Sequence, residues 1–162
     1  AEKEVIEYKS GQKQLLELES NLQQKYAPQL QSQSLAWWTK EAAQLHAQTE
    51  KTQNSGTKLV YQRVLGFLSM NSYIYSGNAL KQGDLAAAGR FIEIYRLVDP
   101  QNAEHRYMAA KVAARKHNPD EVFSALNQAF TLGFKDIKRL KADADFKPYA
   151  QDKRFNDLIS DK

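Results

Sequence analysis

Apolar residues recur at helical spacing along nearly the whole chain, and no segment alternates with period two for long enough to make a strand. This pattern predicts packed helices and leaves nothing from which to build a sheet. In residues 2–26, Val5, Tyr8, Leu15, Leu18, Leu22 and Tyr26 fall three, four or seven apart, on one stripe of an amphipathic helix. Gly11 weakens the middle of that helix, because glycine has the largest backbone entropy to lose, and Pro28 ends or interrupts it. A second helix is predicted from about 34 to 52, with Leu35, Trp38, Ala42 and Leu45 on one face. The Ser34 hydroxyl is its expected N-cap. Trp37 lies about 100° around the helix from Trp38, so the pair cannot share the centre of one narrow seam. At least one is expected in the core, and a second left exposed would mark an interface.

The few Gly and Pro residues punctuate the rest. Gln53-Asn54-Ser55-Gly56 reads as a loop. A long helix follows from about 58 to 82, with Val60, Val64, Leu65, Phe67, Leu68, Tyr75, Ala79 and Leu80 on more than one face, as a central helix needs. Gly83-Asp84 closes it and caps the next helix, about 85–97, which stops at Asp99-Pro100. Another helix is predicted over about 103–117. Asn118 then caps a helix that begins with Pro119 at its first position and closes at Gly133. Two short helices, about 135–142 and 152–160, finish the chain. Residues 1–55 are expected to form an N-terminal helical hairpin continuous with residues 56–162.

The residue inventory argues against catalysis. With no cysteine, disulfides, zinc–thiolate sites and thiol nucleophiles are excluded. His46, His105 and His117 fall in no ligand spacing, and no GxSxG elbow or phosphate-binding glycine loop occurs. Asp143 and Asp145 form a D-x-D pair without the Gly and bidentate Glu of a calcium loop, so helix capping is the better reading. The expectation is therefore no enzyme, no metal and no cofactor.

The formal net charge is +4, with residues 56–162 holding 17 Lys and Arg against 12 acids. Lys111, Arg115 and Lys116 form a modest basic cluster. The helix carrying them lacks interleaved aromatics beyond Tyr107, which argues against nucleic acid. No run of 18 apolar residues provides a membrane span. The chain begins at Ala1 rather than Met, as either a processed or a trimmed form would. An exported bacterial protein, periplasmic or secreted, is the expectation, with the cytoplasm as the alternative.

From about Ser69 to Asn102, residues Ala79, Gly83-Asp84-Leu85, Ala88, Ile92, Tyr95 and Pro100 match the offsets of a 34-residue helix–turn–helix. This segment resembles a tetratricopeptide repeat. It departs from the family in its first helix, where Ser72 stands at the usual aromatic position and Ser76 at the usual small one. Residues 103–136 resemble a second, degenerate unit through Ala110, Ala113, Leu126 and Ala129, with His117 and Val122 in place of the expected Gly and Ala. Leu132-Gly133-Phe134, Asp136, Leu140, Asp143, Asp145-Phe146, Asp152, Arg154-Phe155 and Leu158 resemble the C-terminal extension of bacterial tetratricopeptide proteins. There Asp caps short helices while Phe and Leu cover the last hairpin, which would otherwise expose an apolar face.

The resemblance implies an all-α, tetratricopeptide-like array, an α-solenoid of helical hairpins with an added N-terminal hairpin. It also implies a non-catalytic adaptor or assembly factor that binds a protein or peptide on its concave face. The groove offsets of the family fall on Tyr73, Gly77 and Lys81 in the first unit, and on Tyr107, Lys111 and Arg115 in the second. Tyrosines would supply flat apolar contact and the cations would meet acidic groups, so Lys111→Glu or Arg115→Glu should weaken a partner. The alternative for these residues is inter-helix tyrosine packing with solvated bases. The alternative function is structural self-association as a homo-oligomer through Leu15, Leu18 and Leu22 of the N-terminal hairpin.

Overall fold

A computed structural model describes residues 1–160. Among them the chain forms nine α-helices, one 3-10 helix and no strand, the all-α arrangement that the periodicity requires. The helices are α1 (Glu2–Tyr26), α2 (Gln29–Ser32), α3 (Leu35–Lys51), α4 (Ser55–Gln82), α5 (Leu85–Val98), α6 (Glu104–Arg115), α7 (Pro119–Thr131), α8 (Ile137–Ala142) and α9 (Lys153–Ser160). The 3-10 helix, Ala144–Tyr149, lies between α8 and α9.

Side-chain caps set the boundaries. The Ser34 hydroxyl accepts the Trp37 N–H at 3.1 Å, as its position before α3 requires. Asn54 accepts the Thr57 N–H at 2.9 Å, so α4 starts at Ser55, three residues ahead of the expected 58. Two elements have no counterpart in the sequence reading. Pro28, expected to end or interrupt the first helix, follows its end and starts the single turn α2, because its φ of −64° is already helical. The 3-10 helix is too short and irregular to show a period, and Asp143 caps it by accepting the Asp145 N–H.

The chain packs as two compact units, residues 1–72 with 97–99, and residues 73–96 with 100 onward; the division falls inside α4. In the first unit Trp38 is fully buried, and its indole N–H donates to the Gln29 carbonyl at 3.0 Å. Tyr26 and Trp37 pack around it with ring centroids 6.1 and 5.1 Å away. The Tyr26 hydroxyl donates to Glu41 at 2.7 Å, and burial together with that carboxylate holds the phenol well above its ordinary range. His46 Nε2 lies 2.9 Å from the Leu97 carbonyl, and Ser69 donates to Asp99 at 2.7 Å, which ties 97–99 into this unit. Leu15, Leu18 and Leu22 are half-buried, and Leu15 lies against Gly56, where a Cβ would come within 2.7 Å of its Cδ1. The exposed apolar residues of α1 are instead Val5, Ile6, Tyr8 and Leu16.

In the second unit α6 packs along α7 through Ala110, Ala113, Ala114, Ala125 and Ala129, whose small side chains let the helix backbones approach. Ala79 of α4 and Ala88 of α5 share a cluster with Ile92, Tyr95, Met108 and Val112. The tail belongs to the core. Phe134, Leu140, Phe146, Tyr149 and Phe155 are buried in one cluster with α6 and α7. The Tyr149 hydroxyl donates to the Ala114 carbonyl at 3.2 Å.

The turns of this unit share a geometry. At the end of α4, the Gly83 N–H donates to Leu80 O at 3.1 Å and the Asp84 N–H to Ala79 O at 2.9 Å. Thirty-four positions on, the His117 N–H donates to Ala114 O at 3.1 Å and the Asn118 N–H to Ala113 O at 3.0 Å. Asp84 accepts the Ala87 N–H at 3.0 Å, and Asn118 accepts the Glu121 N–H at 3.3 Å. Gly83 has φ +74° and His117 φ +56°. His117, which departs in sequence from the expected glycine, therefore adopts the left-handed conformation that favours one.

Candidate functional site

The second unit contains a groove of about 360 Å³ between the last turns of α4, the length of α6 and the start of the tail. Tyr73, Gly77 and Lys81 recur every four residues and so occupy one face of α4. Ile74 extends that face, while Met108, Lys111 and Arg115 form the α6 side and Arg139 closes one end. Tyr73 and Ile74 are each 44 % exposed. The Tyr73 ring meets Tyr95 in a T-shaped pair, with centroids 6.3 Å apart and planes at 86°. At Gly77 a Cβ would have no atom within 4 Å, so the groove has a gap between Tyr73 and Lys81. Met108, nearly fully buried, forms an apolar floor.

Four of the five predicted binding residues line this groove: Tyr73, Lys81, Lys111 and Arg115. Tyr107 does not, and this corrects the sequence reading. It is 0 % exposed, stacked on Phe134 at 4.7 Å with an interplanar angle of 12°, and met edge-on by Phe146. The tail covers the face of α6 on which Tyr107 sits. Arg139 lies over the same ring at 4.2 Å, and the hydroxyl donates to Asp143 at 2.7 Å. Burial, then that carboxylate, pushes the phenol far above its ordinary range.

The tail also answers two of the predicted cations. Lys111 lies 3.2 Å from Asp143 and 3.7 Å from Asp145. Arg115 pairs with Asp145 at 3.0 Å and donates to the Leu80 carbonyl in the last turn of α4, which also accepts the Gly83 N–H. Burial works to raise the Asp143 carboxyl, but hydrogen bonds from Tyr107, the Asp145 N–H and Lys111 outweigh it and hold the group below its ordinary range. Of the D-x-D pair, Asp143 is a helix cap as read, whereas Asp145 is an ion-pair partner. Arg139 is held by Glu104 through two hydrogen bonds of 2.6 and 2.9 Å, which raise its already high pKa. Among the described residues, Lys81 is the one groove cation with no acidic partner.

Sequence reasoning missed Ile74, Met108 and Arg139. Ile74 and Met108 had a signal, since they adjoin Tyr73 and Tyr107 and lie 34 positions apart. Arg139 had none, because it arrives from the tail. A second groove of about 320 Å³ lies among α5, α6 and α7, over Ile92, Val112, Ala113 and Ala125. Those side chains are nearly fully buried, and its Arg106 is paired with Glu93 at 2.9 Å. It therefore offers a ligand less apolar surface than Tyr73 and Ile74 do. No group of His, Asp or Glu is placed to hold a metal among the described residues, and none of their helices is long and apolar enough to cross a membrane. Compared with protein-family models, curated proteins and solved structures, the chain matches none.

Proposed function

We propose that this chain is a tetratricopeptide-like helical array that binds a peptide segment of a protein partner in the groove lined by Tyr73, Ile74 and Lys81, and performs no chemistry of its own. The observation that carries the binding reading is the half-exposure of Tyr73 and Ile74 beside the gap at Gly77. Large apolar side chains held open to solvent around a concavity are the usual mark of a contact surface. The array reading is supported by the turn geometry. The hydrogen-bond pairs, the left-handed residues Gly83 and His117, and the caps Asp84 and Asn118 all recur at one offset of 34 positions. The short array, with its buried tail, fits an adaptor with one small groove.

The test is selection of a random dodecapeptide library, displayed on phage, against the full chain. Retained peptides should lose binding to the double variant Tyr73→Ala, Ile74→Ala, whose truncated side chains are half in solvent. Equal retention by wild type and variant, or no enrichment at all, would sink the proposal.

Self-association through α1 is the second reading. It is favoured by the exposure of Val5, Ile6, Tyr8 and Leu16, while Leu15, Leu18 and Leu22 turn towards their own unit. Sedimentation velocity across a hundredfold concentration range decides it, and a constant monomer removes the reading.

A further inference from the structure

The groove has unfilled space over Gly77 and one charge without an acidic partner among the described residues, and together they specify a ligand. We infer that it receives a single large apolar side chain over Gly77, with an acidic residue of the same extended peptide at Lys81, and that Lys111 and Arg115 hold the groove wall without contacting the peptide. The inference rests on the peptide-binding reading above and gives it a chemistry.

Size comes first. About 360 Å³ is at the small end of ligand sites. That accommodates one large side chain with its neighbours. An amphipathic helix would need anchors at i, i+4 and i+7, for which this groove is too small. The place for that side chain is the gap at Gly77, where nothing stands within 4 Å of a Cβ position. Tyr73 flanks the gap with a partly exposed aromatic side chain, and Met108 gives an adaptable, polarizable floor.

Charge comes second. Lys111, Arg115 and Arg139 are already matched by Asp143, Asp145 and Glu104. A carboxylate brought to Lys111 or Arg115 would face Asp143 and Asp145 at close range, with repulsion offsetting the attraction. Lys81 is exposed and faces no such acid, so the uncompensated positive charge of the groove sits there. Spacing then follows. Gly77 and Lys81 are about one helical turn, or ~6 Å, apart along α4. An extended peptide advances ~3.3 Å per residue and points alternate side chains the same way. The acid therefore stands two residues from the apolar anchor.

The peptides retained from the dodecapeptide library supply the probes, labelled with fluorescein and titrated with the full chain. They should carry Phe, Trp, Tyr, Leu or Met two residues from Asp or Glu. Gly77→Leu should lower affinity at least tenfold while leaving the melting temperature no lower than wild type, since the new side chain enters open space. Gly89→Leu, the same change in the second groove, should leave affinity unaltered. Lys81→Glu should weaken binding roughly two- to fivefold, the scale of an exposed ion pair. Replacing the peptide's acid by Lys should restore it. If Gly77→Leu binds as wild type does while the Tyr73, Ile74 double variant fails, the anchor is misplaced and the groove reading stands. If neither change matters, the groove reading itself is wrong. A Lys-bearing peptide that fails to rescue Lys81→Glu overturns the acidic half.

Discussion

Replacing His117 by glycine should make the protein more stable, although glycine is ordinarily a destabilising choice. His117 follows α6 with φ +56°, the sole non-glycine residue at positive φ among those described. The left-handed region crowds the Cβ of an L-residue and costs about 1–2 kcal/mol. Glycine removes that cost and gives back about 0.4–1 kcal/mol through the greater freedom of its unfolded chain. The side chain is exposed and no hydrogen bond or ion pair of it would be lost, so the net gain lies between about 0 and 1.6 kcal/mol, centred on about 0.8 kcal/mol. For a chain of 162 residues, each kcal/mol moves the midpoint by about 2–4 °C, so the central value corresponds to a rise of about 2–3 °C. Circular-dichroism melts of wild type, His117→Gly, His117→Ala and Gly83→Ala measure it. His117→Ala should match wild type, because both residues carry a Cβ. Gly83→Ala should melt lower, because it introduces at φ +74° the penalty that His117 already bears. A His117→Gly midpoint at or below that of His117→Ala would refute the strain argument, and with it the equivalence of positions 83 and 117.

Other changes test the packing around the groove. Tyr107→Phe removes the donor to Asp143 inside the core and should cost about 1–2 kcal/mol in urea denaturation, with the retained dodecapeptides still bound. Acid should destabilise the second unit through Asp143: its folded carboxyl lies below the ordinary 3.8, so its contribution is present above that value and is lost as pH falls through the folded value. Urea midpoints between pH 7 and 2.5 should therefore fall less steeply at the acid end for Asp143→Asn than for wild type. Trp38→Ala empties the centre of the first unit and should cost about 3–5 kcal/mol, read from the same denaturation curves.

The helices were legible because their signals are local. Ser34, Asn118 and Gly83 lie within four residues of the groups they cap or terminate, and the apolar stripe of α3 contains its own phase in Trp38, Ala42 and Leu45. What escaped was structure decided by one or two residues against local expectation. Pro28 permits a turn as readily as it ends one. Asn54 moved the start of α4 by accepting a single N–H. His117 adopts a glycine-like turn despite its side chain, because the hydrogen bonds to Ala113 and Ala114 and the packing of α6 on α7 outweigh a cost of about 1–2 kcal/mol.

The candidate site was legible only on its α4 face. Tyr73, Gly77 and Lys81 can be placed together by counting fours along one helix. On α6 the same counting brings Tyr107, Lys111 and Arg115 to one face, and that much is right, but their fate is decided about thirty residues downstream. Asp143 and Asp145 carry the charges that answer Lys111 and Arg115, and Phe134 and Phe146 bury Tyr107. Spacing within a helix cannot report which distant segment returns to cover it. A D-x-D pair downstream of a basic face was nonetheless a usable clue, because acids in a segment that returns over α6 can pair with its cations. Charge reversal at Lys111 or Arg115 would leave Asp143 or Asp145 facing a new acid, and its first effect would be on folding. Lost binding in either variant would therefore not identify a ligand contact, whereas Gly77 and Lys81 can be altered without removing any partner from the core.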